Sequence, residues 1–238
     1  MTKLTTAIFA AALALTLSCN KDVTNRGPVV TDSRTLAAFH AMDLRMNGNV
    51  YYHYSPDNRI EITAREGAVD QLVTEVINDK LIIRFKNGDS YGSNDPIRLD
   101  VFGPLVNHFS LNSSGSIYCL DDLASPEIFL RTTASGNLFL KDLVADVIQA
   151  ECTESGSIHA TGGSAVEVIL KTRASGSIDF SQVSAGQASA HTESSGHIKI
   201  KVSDELDARI DGSGSVYFSG YPVITTHISG SGRLVRID

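Results

Sequence analysis

Two carboxylates recur at the same position of a repeated sequence pattern. Glu193 and Asp211 each stand three residues before a glycine, in the phrases "ESSG" and "DGSG". If successive repeats stack as neighbouring strands, these side chains lie about 5 Å apart, a separation that pushes one carboxyl pKa upward. Such a pair can serve as acid and nucleophile on a sugar, the chemistry of a polysaccharide-active enzyme. The alternative is two solvated surface carboxylates that relax away from each other.

The serines and histidines of the pattern are weaker candidates for chemistry. No repeated serine sits in a Gly-x-Ser-x-Gly elbow, and a catalytic serine would not need copies in every repeat, so we interpret them as scaffold. His191 and His227 share one repeat position, but Arg209 lies between them, which disfavours a shared metal ion. The pattern therefore predicts no metal site and no cofactor. Outward positions are predicted for the histidines at 108, 159, 191, 197 and 227.

Aromatic residues point to binding rather than catalysis. Three of them occupy the outward position three residues after a repeat glycine, and the strand-like stretch "VYYHY" contains three tyrosines. Exposed aromatic faces can stack against a glycan or a protein partner, although tyrosine and phenylalanine also suit any strand surface. The predicted binding surface comprises Tyr51, Tyr52, Tyr54, Tyr118, Phe139 and Tyr217.

The elements that position these residues follow from the spacing of the glycines. A Ser-Gly pair or its equivalent recurs with spacings of 21, 20, 20, 20, 18 and 18 residues. A period near 20 over half of a chain indicates stacked structural units. The repeat glycines are Gly115, Gly136, Gly156, Gly176, Gly196, Gly214 and Gly232.

Hydrophobic residues alternate with polar ones around each of these glycines. Thirteen of the fourteen residues found two and four positions after a glycine are apolar, and Arg236 is the exception. The overall hydrophobic content of 42% would give about six, so the period of two indicates strands. Each unit contains a strand, a Ser-Gly corner and a second strand. The sequence therefore predicts an all-β fold, a single-stranded parallel β-helix with rungs of about 20 residues.

The stacked arrangement makes further predictions about individual residues. We expect the corner glycines to adopt a backbone conformation that a residue with a Cβ atom resists. Arg131, Glu151 and Lys171 should line up on successive rungs, and Arg173 should adjoin Glu193. Cys119 and Cys152 should point inward and lie more than one rung apart, beyond the reach of a disulfide. They are predicted to be buried free thiols.

The segment before the repeats is less regular but contains strand-like stretches. "NVYYHYS", "NRIEITA", "KLIIRF" and "IRLDVF" are typical of strands, separated by turn-forming clusters. "GAVDQLVTEVIND", residues 67–79, is compatible with a short helix or an irregular rung. Because an open end of a β-helix needs cover against edge-to-edge pairing, this segment is the predicted N-terminal cap.

The N-terminus carries the features of a lipoprotein signal. Lys3 precedes an apolar run from Leu4 to Leu17, too short for a membrane span but typical of a secretory signal peptide. The run ends in Leu17-Ser18-Cys19, which resembles the lipobox of bacterial lipoproteins, so Cys19 is the predicted lipidation site. We expect a signal peptide over residues 1–18, a lipidated cysteine and flexible tether over 19–35, and the β-helix domain over 36–238.

Net charge excludes one class of partner. The formal charge is −7, and the 20 basic residues are scattered along the chain. No basic stripe is present that would follow a phosphate backbone, so we predict no nucleic-acid partner.

Several stretches together resemble a known family. The opening "FHAMDLRMNGNVYYHYSPDNRIEITA", then "DKLIIRF", the repeated "SGSI", and the closing "DGSGSVYF" resemble the GIN-type head domain of putative autotransporter adhesins. The resemblance covers about two hundred residues, from Phe39 to Asp238. It implies a right-handed parallel β-helix at the cell envelope, and it supplies no catalytic residues.

The sequence therefore predicts a non-catalytic, lipid-anchored envelope protein that binds glycan or protein. We expect it at the outer membrane, on a face that the sequence leaves open, as it does the oligomeric state. One alternative is a polysaccharide hydrolase or lyase using Glu193 and Asp211, and another is a structural envelope component. A groove across several rungs with converging acids would favour the enzyme. An aromatic patch without such acids would favour the binding protein.

Overall fold

A computed structural model describes residues 26–86 and 97–237. The predicted signal peptide and Cys19 lie outside the described residues. Of the described residues, 66% lie in strands and 3% in helix, which confirms the all-β prediction. The N-terminal part consists of β1 (Val29–Thr35), β2 (Ala41–Leu44), β3 (Asn49–Tyr54), β4 (Arg59–Arg65), α1 (Glu66–Gln71), β5 (Leu72–Ile77), β6 (Lys80–Phe85) and β7 (Arg98–Gly103).

The repeated part forms the body of the solenoid. Each of the three complete central rungs is one strand of 16 residues that bends around the core. The sequence pattern predicts two separate strands for each rung instead. The elements are β8 (His108–Leu111), β9 (Ser116–Cys119), β10 (Leu123–Ala124), β11 (Glu127–Thr132), β12 (Asn137–Cys152), β13 (Ser157–Thr172), β14 (Ser177–Thr192), β15 (His197–Ile210), β16 (Val216–Ser219), β17 (Val223–Ile228) and β18 (Leu234–Arg236).

Successive rungs lie directly over one another in parallel register. Ile158 pairs with Ile178, and Ile178 pairs with Ile198. All three side chains are buried, which leaves them in one vertical file inside the solenoid. The prediction of stacked rungs of about 20 residues with an enclosed apolar face is confirmed, and the solenoid has about six turns.

The corner glycines are required for a reason other than the one expected. None of the seven has a positive φ, so the predicted special backbone conformation is wrong. A Cβ atom on Gly156 would instead lie 2.3 Å from the carbonyl oxygen of Gly136, one rung away. At Gly196 it would lie 2.3 Å from the carbonyl oxygen of Gly176. Glycine is therefore needed because the corner backbones approach too closely for any side chain.

The core beneath the corners contains small polar side chains and one thiol. Thr132, Thr172 and Thr192 are fully buried in the same file as Cys152. The Thr192 hydroxyl donates to the carbonyl oxygen of Gly196 at 2.9 Å. Cys119 and Cys152 are both buried and free, as predicted. Burial raises the pKa of the Cys119 thiol to about 12 and that of Cys152 to about 11.

The N-terminal strands complete the first rungs and close that end. β2 and β3 pair in parallel with β8 and β9, whereas β4 pairs antiparallel with β7, and β5 with β6. α1 connects β4 to β5 and buries Gly67, Ala68 and Val69 against the core. The predicted cap segment thus forms a short helix followed by a strand.

The structure corrects the predicted boundary of the tether. Residues 29–35 were assigned to a flexible tether, but they form β1, which pairs antiparallel with β4 along its whole length. Arg34 fixes this strand to the cap, donating to the carbonyl oxygens of Leu72 at 2.7 Å and Val69 at 2.9 Å. Alternation of exposed and half-buried residues in this polar strand is too weak a pattern to recognise in the sequence.

The C-terminal end of the solenoid exposes its last strands, whereas α1 and the neighbouring strands cover the N-terminal end. Residues of β17 are all exposed, including Ile224 and Ile228, and among the described strands β17 is paired with β15 on one side only. Arg236 occupies the next position in the file of Phe218, and its guanidinium lies 3.6 Å from the centroid of the Tyr221 ring. A charge at an inward position of an edge strand disfavours pairing with another chain.

Candidate functional site

The acidic residues Glu193 and Asp211 follow a paired position of two adjacent rungs, Thr192 and Ile210, and they have basic neighbours. The side chain of His191 reaches both carboxylates, with Nε2 2.9 Å from Asp211 Oδ2 and Nδ1 4.0 Å from Glu193 Oε1. Lys171 Nζ lies 2.5 Å from Glu193 Oε1, and Arg209 Nε lies 2.8 Å from Asp211 Oδ2. Sequence reasoning placed His191 in the adjacent file but missed that it bridges the pair. Each carboxylate is therefore held by at least two cationic or hydrogen-bonding side chains.

These neighbours reverse the expected direction of the pKa shifts. The hydrogen bond from Lys171 lowers the pKa of Glu193, with smaller contributions from Arg173 and His191. Hydrogen bonds from His191 and then Arg209 lower the pKa of Asp211 to about 2. The prediction that one of the two pKa values is raised is wrong, because attraction to cations outweighs repulsion between the carboxylates. Neither group holds a proton at neutral pH that it could give to a leaving sugar.

A titration tests this assignment of charge. Because the pKa of Asp211 is lower in the folded chain than its ordinary value of 3.8, its contribution to stability is complete above about pH 4. That contribution is lost as the pH falls toward 2. We expect carboxyl-carbon NMR to give an Asp211 midpoint near 2, and Asp211→Asn to lessen acid destabilisation in this interval. A midpoint above 4 would restore Asp211 as a candidate general acid.

One predicted member of the aromatic surface is instead part of the core. Tyr52 is fully buried, since alternation along β3 turns it inward while Tyr51 and His53 face outward. Its hydroxyl donates to the carbonyl oxygen of Pro104 and accepts from the Val106 N–H at 3.2 Å. Burial raises the pKa of this phenol. Tyr52 is therefore a structural residue, and its assignment to the binding surface is wrong.

Three of the predicted aromatics form a continuous stack, here called the aromatic ladder. Tyr51 and Tyr118 have ring centroids 5.0 Å apart with planes 11° apart, and Tyr118 and Phe139 are 4.9 Å and 10° apart. The stack follows from the register, which pairs Tyr51 with Tyr118 and Tyr118 with Phe139. Arg98 covers the outer face of Tyr51 at 3.9 Å and is itself held by Asp100 at 2.7 Å. The ladder is thus closed at one end by a cation.

The ladder presents ring edges rather than ring faces to solvent. Each ring is half-buried, and its faces are largely covered by the ring of the neighbouring rung. The hydroxyls of Tyr51 and Tyr118 form no hydrogen bond with a described residue. A partner would therefore contact apolar ring edges and phenol hydroxyls, not the open aromatic faces that the sequence suggested.

A second aromatic pair extends this surface. His53 and Phe102 stack with centroids 4.8 Å apart, and the Arg59 guanidinium lies 3.8 Å from the centroid of Phe102. His53 lies two residues after Tyr51 on β3, and its partner Phe102 lies two residues after Asp100 on β7. Sequence reasoning recognised "IRLDVF" as a strand but did not use its alternation, which turns Phe102 outward.

The two remaining predicted aromatics lie apart from the ladder. Tyr54 is 63% exposed at the end of β3, where its backbone N–H donates to Asp121 Oδ2 at 2.8 Å. Tyr217 shares the file of Phe139, but His159, Asp179 and Lys199 lie between them. Its ring meets that of His197 edge to face, at a centroid distance of 5.9 Å. The predicted surface therefore divides into the ladder and isolated tyrosines.

Over residues 26–86 and 97–237, no three side chains among His, Cys, Asp and Glu are arranged to hold a metal ion. Within the same residues, no helix combines the length and apolar character needed to span a membrane.

The fold and surface define a solenoid protein that carries a stack of half-buried aromatic rings on its outside. A family model described as "putative auto-transporter adhesin, head GIN domain" matches residues 38–222. The chain belongs to this family, as the resemblance in the sequence indicated. No curated protein matches it.

Solved structures from Bacteroides and Parabacteroides species share the fold. A putative adhesin from Bacteroides fragilis superimposes with a TM-score of 0.78 at 19% identity, covering 88% of this chain and 97% of that one. A putative adhesin from Parabacteroides distasonis gives 0.74 at 19% identity, covering 89% and 98%. A structure called a putative lipid binding protein, also from Parabacteroides distasonis, gives 0.67 at 21% identity, covering 89% and 98%.

Proposed function

We propose that this protein is a lipid-anchored envelope protein that binds a glycan or protein partner through the aromatic ladder. The observation that carries the proposal is the continuous stack of Tyr51, Tyr118 and Phe139 on the outside of a rigid solenoid. Stacking fixes the ring positions before a partner arrives, so little side-chain freedom is lost on binding. Membership of a family described as putative adhesins supports a binding role. The lipobox-like Leu17-Ser18-Cys19 supports the proposed lipid on Cys19 at the outer membrane.

The acidic pair gives no support to the hydrolase form of the enzymatic alternative. Glu193 and Asp211 are both held deprotonated by basic neighbours, whereas glycoside hydrolysis needs one carboxyl group that retains its proton. Both carboxylates instead belong to a network of ion pairs across rungs, which stabilises the sheet surface modestly. We therefore propose a non-catalytic role for this surface.

The ladder is tested with variants that separate its rings from its hydroxyls. The protein used is the chain from Asn20 onward, which keeps α1 and every described strand. We screen it against immobilised glycans and envelope extracts, then measure affinity for the captured partner. Tyr118→Ala and Phe139→Ala should each weaken binding by about tenfold, through loss of apolar contact and of the stack that positions its neighbours. Tyr118→Phe should lose less, because it keeps the ring.

Tyr217→Ala is the matched control for these variants. Tyr217 occupies the same position of its rung and the same file, but it lies four rungs beyond Phe139. Its removal should leave affinity unchanged. Equal loss in Tyr217→Ala and Tyr118→Ala, or full affinity in both ladder variants, would contradict the assignment of the site.

A further inference from the structure

A groove on a different side of the solenoid from the aromatic ladder combines several basic side chains with a stacked pair of rings. It has a volume of about 540 Å³ and runs over the outer surface of β8, β11, β12 and β13. We call it the basic groove and define it by Lys80, His108, Phe129, Arg131, Ile169 and Lys171. The ladder uses the first part of β12, whereas the groove uses the last part of the same strand, so the two surfaces are separate.

The floor of the basic groove is apolar and follows the solenoid axis. The register places His108, Phe129, Gln149 and Ile169 in one file across four rungs, a length of about 14 Å. The His108 and Phe129 rings stack with centroids 5.7 Å apart and planes 30° apart. Burial, and secondarily Lys80, lowers the pKa of His108. Its imidazole is therefore neutral at pH 7 and adds its ring edge to that of Phe129 along the floor.

The rim of the groove is basic in a chain that is acidic overall. Lys80, Arg131 and Lys171 line it with a single carboxylate, Glu151, although the whole chain has a net charge of −7. Glu151 Oε2 lies 3.4 Å from Arg131 Nε, and Lys171 is paired with Glu193. The three basic side chains and Glu151 together leave the rim with an excess of two positive charges. Arg173 and Glu193 lie next to the rim, and their opposite charges leave this excess unchanged.

Lys80 differs from Arg131 and Lys171, the other cations of the groove, in forming no ion pair with a described residue. It stands at the end of the groove nearest the N-terminal cap, in the file that continues through Ala41 to His108. It is half-buried, and it forms no ion pair with any residue in the described ranges. Opposite charges on neighbouring strands stabilise the surface of a sheet, and this role accounts for Arg131, Glu151 and Lys171. It does not account for Lys80, which has no ion-pair partner among the described residues and stands beside the stacked rings of His108 and Phe129.

We propose that the basic groove binds an acidic polysaccharide, a chain of sugars that carry carboxylates. The apolar faces of successive sugars would lie against the ring edges of His108 and Phe129 and against the side chain of Ile169, with sugar hydroxyls reaching Gln149. Their carboxylates would pair with Lys80 and Arg131, which supplies the charge complementarity. The length of the floor along the axis suits an extended, repeating ligand. This site is independent of the aromatic ladder and of its proposed partner.

The probe is a galacturonic-acid oligomer, compared with neutral dextran oligomers and poly-glutamate. With the chain from Asn20 onward in a titration calorimeter, we expect binding of the galacturonic-acid oligomer that weakens as salt is raised. Dextran oligomers should not bind, because they carry no charge. Poly-glutamate should bind at least tenfold more weakly, because it offers charge without flat sugar faces.

Variants locate the site. Lys80→Gln and Phe129→Ala should each weaken binding of the galacturonic-acid oligomer about fivefold to tenfold. Lys201→Gln removes the same charge from an exposed lysine outside the groove and should change nothing. Thermal unfolding of each variant shows whether a loss of binding reflects a loss of fold. No binding of the oligomer, equal binding of poly-glutamate, or equal loss in Lys201→Gln and Lys80→Gln would overturn the proposal.

Discussion

Gly156→Ala should destabilise the folded chain by about 3 kcal/mol, the upper range for overpacking at a closely packed position. The new Cβ atom would lie 2.3 Å from the Gly136 carbonyl oxygen, 2.8 Å from that of Ala134 and 3.0 Å from Thr132 Oγ1. Two of these atoms belong to the backbone of the preceding rung, which cannot move aside without parting the rungs. Urea unfolding should show the loss as a lower midpoint with an unchanged slope.

Gly162→Ala is the matched control for the corner substitution. Its nearest neighbour would be Asp142 Oδ2 at 3.0 Å, the end of a side chain that can rotate away. We expect a change within about 0.5 kcal/mol, since alanine also restricts the unfolded chain. For a chain of this size the corner variant should melt roughly 6–12 °C lower than the wild type. Equal melting temperatures for the two variants would show that the corners do not need glycine.

Cys19→Ser should move the protein entirely from the membrane fraction to the soluble fraction. The proposed lipid on Cys19 is a diacylglycerol, and two buried acyl chains are enough for stable anchoring, whereas one is not. Full-length protein expressed in a bacterium that lipidates its envelope proteins is fractionated and detected with an antibody. Incorporation of labelled palmitate into the wild-type chain, absent from Cys19→Ser, measures the modification itself.

Cys152→Ser is the control for the lipidation experiment. Cys152 is fully buried in a file beside Thr132 and Thr172, so a serine hydroxyl has similar surroundings there. This variant should remain in the membrane fraction and keep its label. Retention of Cys19→Ser in the membrane would contradict the proposed anchor, and so would a soluble wild-type protein.

Most of the solenoid follows from local pattern, because a parallel stack is nearly one-dimensional. The glycine period sets which residues become neighbours, and alternation sets which of them point inward. This reasoning placed Ile158, Ile178 and Ile198 in one buried file and Cys119 and Cys152 apart inside the core. The strand β1 did not follow, because an antiparallel partner outside the repeat has no periodic signal.

The surface was less predictable than the core because side chains there reach in directions that register does not determine. His191 was correctly placed on its file, yet only the folded side chains show it lying between Glu193 and Asp211. That contact, together with Lys171 and Arg209, turned a potential acid into two deprotonated carboxylates. Tyr52 illustrates the converse, since the alternation that buries it was present in "VYYHY" but was not applied there.

The amino-acid sequence alone determined the stack, its period and the separation of inside from outside. These depend on hydrophobic burial and on strand alternation, which act at fixed spacings along the chain. The tertiary structure decided the reason for the corner glycines, the charge state of the acidic pair and the shape of the basic groove. Each of these arises from atoms of different rungs meeting at particular distances. Short-range repulsion and electrostatic attraction depend on those distances, which spacing along the chain does not specify.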